Sequence, residues 1–333
     1  MLRYLLRRIA NYVLLLFMAT TMAYFIAGTQ LNPRSKLIEN ALLSGKNVDL
    51  AQVTKSVDAT LFERNINPLT PVWERYGVWL KNVLFHFDWG MSPDGKVINT
   101  EIANRVPISL QLVFIGFFVG VFVGVALGVW TAVRQYSRTD RTITFISLLV
   151  ISTPSIVLAI LLQMLATYIG QTTGYQLDFT GPYSLPKPEG FALLLNRAEH
   201  LLLPTIVMSL HGIATYSRYQ RNLMLDTLGA DYVRTARAKG LRSGRAVRHH
   251  ALRTSLIPIA TFFAFGITGL VLGAAITEQV FGWQGMGIYS ITTIQGLDVN
   301  GTVAVVSFAA ACTLTGALLS DILIAAIDPR VRV

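Results

Sequence analysis

Six long apolar segments alternate with polar ones along the chain. A helix that crosses a bilayer needs about 20 predominantly apolar residues, and each segment approaches or exceeds that length. The segments cover residues 9–27, 106–133, 142–169, 200–217, 255–276 and 302–327. The pattern predicts an all-α integral membrane protein with six transmembrane helices.

The polar residues between these segments divide the chain into three parts. Residues 1–27 form a basic start and the first helix; a secretory signal peptide begins similarly, but 19 apolar residues favour a helix that is retained. Residues 28–105 contain no apolar span, which predicts a large extracytoplasmic domain between helices 1 and 2. Residues 106–333 contain the other five helices and a basic loop at 218–254.

Charge sets the orientation and the kind of partner. The 333 residues are 53% hydrophobic and 14% charged, whereas about a quarter of the residues of soluble chains are charged. The net charge of +10 is not matched by an aromatic-rich basic face of the kind nucleic-acid binders have. The two ends and the loops on their side hold 17 basic residues against four acidic ones, and the opposite loops hold 11 against 13. The positive-inside rule therefore places both termini in the cytoplasm of a multi-pass cell-membrane protein that contacts lipid and no nucleic acid.

The basic loop at 218–254 has an internal pattern of its own. Nine Arg and Lys residues against two Asp residues cannot lie in hydrocarbon. Tyr232, Val233 and Ala236 nevertheless have helical spacing, and Gly240 suits the end of a helix. A short helix of small residues in water is suited to contact with another protein. The simpler alternative is positive charge that only sets orientation beside anionic lipid.

Two patterns describe how the helices pack and bend. Glycines recur every four residues along the second apolar segment, at Gly116, Gly120, Gly124 and Gly128. Such a stripe lets a neighbouring helix approach closely, and the alternative is a face that lines a substrate path. Pro154, within Ser152–Ser155, predicts a kink in the third segment.

Two further features leave alternatives open. Residues 71–80 predict an amphipathic helix with Trp73, Tyr76 and Leu80 on one face, suited to a membrane interface or to packing on its own domain. His211 lies inside the fourth apolar segment, where it is either a substrate or proton group or a helix-packing residue.

The sequence lacks the motifs of several catalytic classes. It contains no G-x-x-x-x-G-K-[ST] phosphate loop, no G-x-S-x-G turn, and no His, Cys, Asp and Glu cluster with metal-ligand spacing. We therefore expect no enzyme activity, no cofactor and no metal in this chain. Any energy for transport would come from another polypeptide.

Five motifs, in order along the chain, resemble those of ABC importer permeases of the dipeptide/oligopeptide/nickel family. They are Asp88–Ser92, Ser152–Ser155, Asp231–Leu241 with His250–Arg253 and Pro258, Glu278–Gly287, and Asp328–Arg332. The chain has Arg234-Thr235-Ala236 where the broader importer pattern has Glu-Ala-Ala, and the peptide branch commonly has this Arg-Thr-Ala. It has Gln284 where the family usually has Pro.

The resemblance implies the type I ABC importer permease fold and a role in peptide import. It implies a second, homologous permease subunit, two ABC ATPase subunits that carry ATP and Mg, and an extracytoplasmic substrate-binding protein. The implied coupling helix, which docks on an ATPase subunit, consists of Asp231, Tyr232, Val233, Arg234, Thr235, Ala236, Arg237, Ala238, Lys239 and Gly240. The implied outer gate or binding-protein contact consists of Glu278, Phe281, Trp283 and Gly285.

Two alternatives to peptide import remain. An importer of the same class could carry nickel, an opine or a glutathione-like solute. An ion-coupled carrier or channel acting alone would concentrate acids at mid-membrane, but Asp321 is the only acid inside an apolar segment.

Overall fold

The computed structural model describes residues 2–44 and 49–327, except for the side chains of 2–5, 44, 264–265, 267–273 and 327. This part of the chain is helical apart from turns and one isolated bridge between Met91 and Val97, so the predicted all-α class is confirmed. The described α-helices are α1 (Leu2–Gln30), α2 (Pro33–Ser44), α3 (Leu50–Glu63), α4 (Val72–His86), α5 (Ile98–Val133), α6 (Arg138–Ser152), α7 (Ser155–Thr173), α8 (Gly190–Leu228), α9 (Asp231–Ala238), α10 (Ser243–Ala246), α11 (Leu252–Phe281), α12 (Met286–Gln295) and α13 (Val299–Ile327). A π-helical turn, Val247–Ala251, connects α10 to α11. The closing motif Asp328–Arg332 lies outside the described residues.

Five helices of the described residues are long and apolar enough to cross a membrane. They are α1 from Leu6, α5, α7, α8 and α13 as far as Ala326. Helix α11 covers the fifth predicted segment and is 30 residues long, but several of its side chains lie outside the description. The six-helix topology therefore stays a prediction, and five candidate spans are established by length and composition.

The chain forms two compact units. We call Met1–Arg8, Leu110–Trp283 and Cys312–Val333 the core unit, and Ile9–Ser109 with Gln284–Ala311 the N-terminal unit. The boundaries of these units differ from those of the three parts predicted from the sequence. Most of α1 and the first half of α13 belong to the same unit as residues 28–109.

The N-terminal unit is built around α4. Trp79 of α4 is buried with Tyr24 and Ala27 of α1 and with Val299 and Val303 of α13. The Tyr24 and Trp79 rings are 4.8 Å apart between centroids. Helix α4 therefore packs on its own unit.

One residue of the predicted α4 face is placed differently. Tyr76 and Leu80 pack against this cluster, as their spacing suggests. Trp73 is 67% exposed, because the buried positions follow a stripe through Val72, Tyr76 and Trp79 that leaves Trp73 to one side. The sequence left open whether this face meets a membrane interface or packs on its own domain; Tyr76 and Leu80 pack, and Trp73 does not.

In the core unit, the glycine stripe of α5 lies against α8. A Cβ atom added to Gly116 would come within 2.8 Å of Met208 Cβ, and one added to Gly120 within 3.2 Å of Gly212 Cα. Cβ atoms at Gly124 and Gly128 would meet α8 as closely. Any side chain at these positions would push the two helices apart.

Two helix ends in the core unit differ in how well the sequence predicts them. The kink expected at Ser152–Ser155 is a complete break, in which α6 ends at Ser152 and α7 begins at Ser155. Pro154 disfavours the helical conformation at Thr153.

The basic stretch at 218–254, in contrast, is not a loop from its start. Helix α8 continues through Arg218 to Leu228, because Met224 and Leu228 continue its apolar side into a buried cluster.

Candidate functional site

The site is the short helix α9 and the residues that hold it. Helix α9 starts at Asp231, whose negative charge suits a helix N-terminus. Its end is formed by Gly240, which has a φ of +90° and donates its N–H to the Arg237 carbonyl at 3.0 Å. A residue with a side chain is strained in that conformation, so Gly240 ends the helix as its sequence position suggests.

One side of α9 is buried against the chain itself. Val233 is 2% exposed and Ala236 is 8% exposed. Val233 joins Ala132 and Met224 of the helices before it and Ala251 before α11 in one buried cluster. Of the implied coupling-helix residues, Val233 and Ala236 are therefore turned away from the exposed side.

The other side of α9 faces outward. The exposed residues are Asp231, Tyr232, Arg234, Thr235, Arg237, Ala238, Lys239 and Gly240. The Tyr232 ring is 44% exposed. Within the described residues, Arg234, Arg237 and Lys239 form no ion pair. This surface, which we call the α9 face, is basic, flanked by a tyrosine, and fixed in position by the buried side.

The end of α8 that carries α9 is tied to α6 by an ion pair. Arg221 of α8 donates from Nε to Asp140 Oδ1 at 2.6 Å and from Nη2 to Asp140 Oδ2 at 2.9 Å. The Tyr136 N–H donates to Asp140 Oδ2 as well, at 2.9 Å. The Arg221 guanidinium lowers the pKa of the buried Asp140 carboxyl, which stays ionised.

Two more polar contacts join α6 to α8 further along both helices. Ser147 and Ser217 hydroxyl oxygens are 3.2 Å apart. At the break after α6, the Thr153 carbonyl accepts a hydrogen bond from His211 Nε2 at 3.1 Å. Together with Asp140–Arg221, these contacts form a three-step series between antiparallel helices, which we call the α6–α8 ladder. These contacts tie α8 to α6 at three points along their length.

The predicted outer-gate residues are buried. Glu278 and Phe281 are fully buried, and Trp283 is 1% exposed. Gly282, with a φ of +69°, ends α11 by donating its N–H to the Glu278 carbonyl. The Phe281 carbonyl accepts from the Gly181 N–H at 2.7 Å. In this conformation these side chains hold the end of α11 in the core unit and present no surface to a second protein.

Gly285, the fourth of these residues, is buried in the N-terminal unit. It is the N-cap of α12. The next N–H, of Met286, donates to Ser109 Oγ of α5 at 2.7 Å. Gly285 therefore lies where the start of α12 contacts α5.

The motif Asp88–Ser92 forms a turn of the N-terminal unit. Asp88 Oδ1 accepts from the Gly90 N–H at 2.9 Å, and Gly90 has a φ of +87°. Asn300 Nδ2 at the start of α13 donates to the Met91 carbonyl at 2.9 Å. This turn joins the end of α4 to the start of α13, so it has an architectural role in the unit.

Two residues of the site were missed by sequence reasoning. Asp140 and Arg221 are 81 positions apart, and Arg221 was counted only among the charges that set orientation. The available signal was that Asp140 is the sole acid in a short loop with three arginines. An acid kept in such a loop suggests a specific partner.

The apolar helices and the family match together define a multi-pass membrane permease of the ABC transporter class. The chain belongs to the family of binding-protein-dependent transport system inner membrane components, whose family model matches residues 124–333.

Relatives of known name match the chain over most of its length. It is 40% identical over 335 aligned residues to the oligopeptide transport system permease protein OppB of Mycobacterium tuberculosis, with all of both chains covered. It is 31% identical to the oligopeptide transport system permease protein AppB of Bacillus subtilis, over 79% of this chain and 81% of that one. It is 28% identical to the dipeptide transport system permease protein DppB of Lactococcus lactis, over 100% of both chains.

A solved structure has the same fold. The inward-facing MetNI methionine ABC transporter matches with a TM-score of 0.52 and 17% identity, over 68% of this chain and 96% of that chain. At this identity the likeness concerns the fold alone.

Proposed function

We propose that this chain is one permease subunit of an ATP-driven importer of di- and oligopeptides. The support is the 40% identity, over the full length of both chains, with a protein named an oligopeptide permease. The proposed assembly adds a second, homologous permease subunit, two ATPase subunits that bind ATP and Mg, and an extracytoplasmic substrate-binding protein. In it this chain has six transmembrane helices, cytoplasmic termini and residues 28–105 on the outer side.

The observation that carries the coupling role is the two-sided character of α9. Its inner side is fixed to the end of α8 through Val233, and its outer side is a basic face. An ATPase subunit that binds the α9 face would therefore move α8 without bending α9. The α6–α8 ladder would carry that movement to α6 as part of a rigid-body switch.

A role at the outer side fits the Glu278–Trp283 segment in a different way. Because its side chains are buried, the segment would close the outer end of the transport path through its packing. It would not bind the substrate-binding protein directly. Contact with that protein would fall to exposed residues of the outer loops.

The test of coupling uses matched threonine substitutions. Thr235→Trp places a bulky group on the α9 face, while Thr172→Trp places the same group at the exposed end of α7. With the tagged chain in its complex, we expect Thr235→Trp to lower ATPase recovery and ATP-dependent peptide uptake by at least about tenfold, and Thr172→Trp to leave both unchanged. Equal recovery for the two variants contradicts docking on α9. Ala236→Trp is unsuitable, because the Ala236 side chain is buried within this chain.

The class of substrate is tested separately. Vesicles with the complete complex are given radiolabelled dipeptides, hexapeptides or nickel, with and without ATP. Uptake of peptides only with ATP and partner subunits supports the proposal. Uptake of nickel alone supports the solute alternative, and uptake by this chain without partners or ATP supports an autonomous carrier.

A further inference from the structure

A cavity in the core unit contains polar groups that a lipid-facing surface would not have. It has a volume of about 400 Å³ and lies between α5, α8 and α11. Its lining includes Phe117, His211, Thr215, Tyr216, Tyr219 and Phe262. The volume falls in the range of about 300–1,000 Å³ typical of small-molecule sites, which are likewise mostly apolar with a few polar groups.

The walls of the cavity are largely aromatic. Phe117 and Tyr216 belong to a buried cluster with Phe263. The Tyr219 and Phe262 rings are 4.3 Å apart between centroids. The apolar walls of the cavity suit apolar or aromatic side chains.

Three polar side chains of α8 line this cavity, namely His211, Thr215 and Tyr219. Within the described residues, the Thr215 and Tyr219 hydroxyl groups form no hydrogen bond. His211 donates from Nε2 to the Thr153 carbonyl, so in the neutral ring Nδ1 is left as an acceptor. Hydroxyl groups and an imidazole nitrogen that lack a hydrogen-bond partner are costly in hydrocarbon, and such polar groups in membrane helices face a bundle interior or a water-filled path.

We propose that this cavity is a subsite for the peptide in transit, in which His211 Nδ1 accepts from a peptide N–H and the Thr215 and Tyr219 hydroxyls donate to peptide carbonyls. This inference rests on the proposed import of peptides. The main chain of a peptide alternates N–H donors and carbonyl acceptors. It therefore matches α8, where the acceptor His211 and the donors Thr215 and Tyr219 follow one another at intervals of one helical turn. An acyl chain would satisfy none of these groups.

Photocrosslinking locates the occupant. The photoreactive residue p-benzoylphenylalanine is placed at Thr215, or as a control at Leu202, which is exposed on the same helix outside the cavity. Complexes in vesicles are given tritiated Ala-Ala-Phe with its binding protein and ATP. We expect at least about tenfold more label at position 215 than at 202, competed away by unlabelled peptide.

Other outcomes overturn the proposal. Equal labelling at the two positions, or crosslinks from position 215 to lipid or to the second permease instead of peptide, would assign the cavity to another occupant. If the unmodified complex takes up no peptide at all, the proposed function fails and this subsite fails with it. Uptake by the unmodified complex without selective labelling overturns only the subsite.

Tyr219→Phe gives a second measurement that does not depend on a bulky probe. It removes one hydroxyl and keeps the ring that packs on Phe262. Losing one hydrogen bond should raise the KM for peptide uptake by about threefold to tenfold with little change in maximal rate. Tyr168→Phe on the exposed side of α7 should leave KM unchanged. An unchanged KM for Tyr219→Phe contradicts a peptide contact at that hydroxyl.

Discussion

Two motif-bearing segments of the core unit present their residues in opposite ways. Helix α9 buries Val233 and Ala236 and exposes the rest of its motif. The segment Glu278–Trp283 buries Glu278, Phe281 and Trp283. In sequence both look like candidates for contact with another protein, because both combine aromatic, charged and glycine residues.

The difference shows that a motif alone does not identify a surface. The α9 motif has two apolar residues three positions apart, which is enough to seat a helix and leave its other side in water. The Glu278–Trp283 motif has large apolar residues on both sides of Gly282, and both Phe281 and Trp283 are buried while Gly282 itself is exposed. Changes in the buried segment should act on stability, and changes on α9 should act on partner binding.

The largest expected effect tests the buried segment. Trp283→Ala should lower the free energy of unfolding by about 3–5 kcal/mol, because it removes a large side chain from a packed site. Trp73→Ala, at a 67% exposed tryptophan, should change it by less than about 0.5 kcal/mol. Thermal unfolding in detergent is followed by thiol-reagent labelling of Cys312, the only cysteine of the chain. Similar unfolding temperatures for the two variants would contradict a structural role for Trp283.

A buried acid of the N-terminal unit extends the comparison to pH. Burial raises the pKa of Asp298 from 3.8 to about 7. Between these values the folded state keeps the proton that the unfolded state has lost, so stability falls as pH rises through this window. We expect a loss of about 2–4 kcal/mol from pH 4 to pH 7.

Asp298→Asn is the matched control for that pH dependence. It keeps the shape of the side chain and an acceptor for the Gly301 N–H, which lies 2.9 Å from Asp298 Oδ1. Its unfolding temperature should change much less with pH over the same window. If both proteins show the same slope, another group is responsible.

The α6–α8 ladder is intermediate between the exposed α9 face and the buried Glu278–Trp283 segment. Arg221 belongs to the basic stretch, but its charge is paired with Asp140. Asp140→Asn should cost about 2–3 kcal/mol, because the Arg221 guanidinium loses its partner in a mostly buried site. The double variant Asp140→Arg with Arg221→Asp should recover part of that loss. Unfolding temperatures of the two variants, compared with the unsubstituted protein, measure the coupling. An Asp140→Asn protein as stable as the parent would remove the ladder's first step.

Local patterns explain what could be predicted from the sequence. The apolar runs correspond to long helices because each run satisfies its own backbone in hydrocarbon. The break at Pro154 and the stop at Gly240 follow from the backbone preferences of single residues. Val233 and Ala236 were recognised as helically spaced, although which way they face depends on α8.

Long-range contacts explain what could not be predicted. The charges of Arg218 and Arg221 suggested that the helix ends at the membrane surface, yet Met224 extends it into a buried cluster with Val233. The pairing of Arg221 with Asp140 joins two helices distant in sequence, and no periodicity encodes it. Burial of Glu278–Trp283 likewise depends on the loop at Gly181.

The smallest expected effect on stability is also the most direct test of the α9 face. Tyr232→Ala removes a half-exposed ring, so the free energy of unfolding should change by less than about 0.5 kcal/mol. If the α9 face binds an ATPase subunit, the same change should weaken that binding by about 5-fold to 30-fold, because aromatic residues often dominate interfaces. Tyr168→Ala, at a similarly exposed tyrosine of α7, should alter neither quantity.

Salt sharpens this last experiment, because the α9 face also exposes Arg234, Arg237 and Lys239. ATPase recovery by the parent protein should fall as ionic strength rises, since exposed charges are screened. Arg237→Gln should flatten that dependence while Tyr232→Ala shifts recovery at every salt concentration. The opposite result would be a Tyr232→Ala protein that binds the ATPase subunit normally but unfolds at a lower temperature. That result would give α9 a structural role like that of Glu278–Trp283, and the difference between the two segments would disappear.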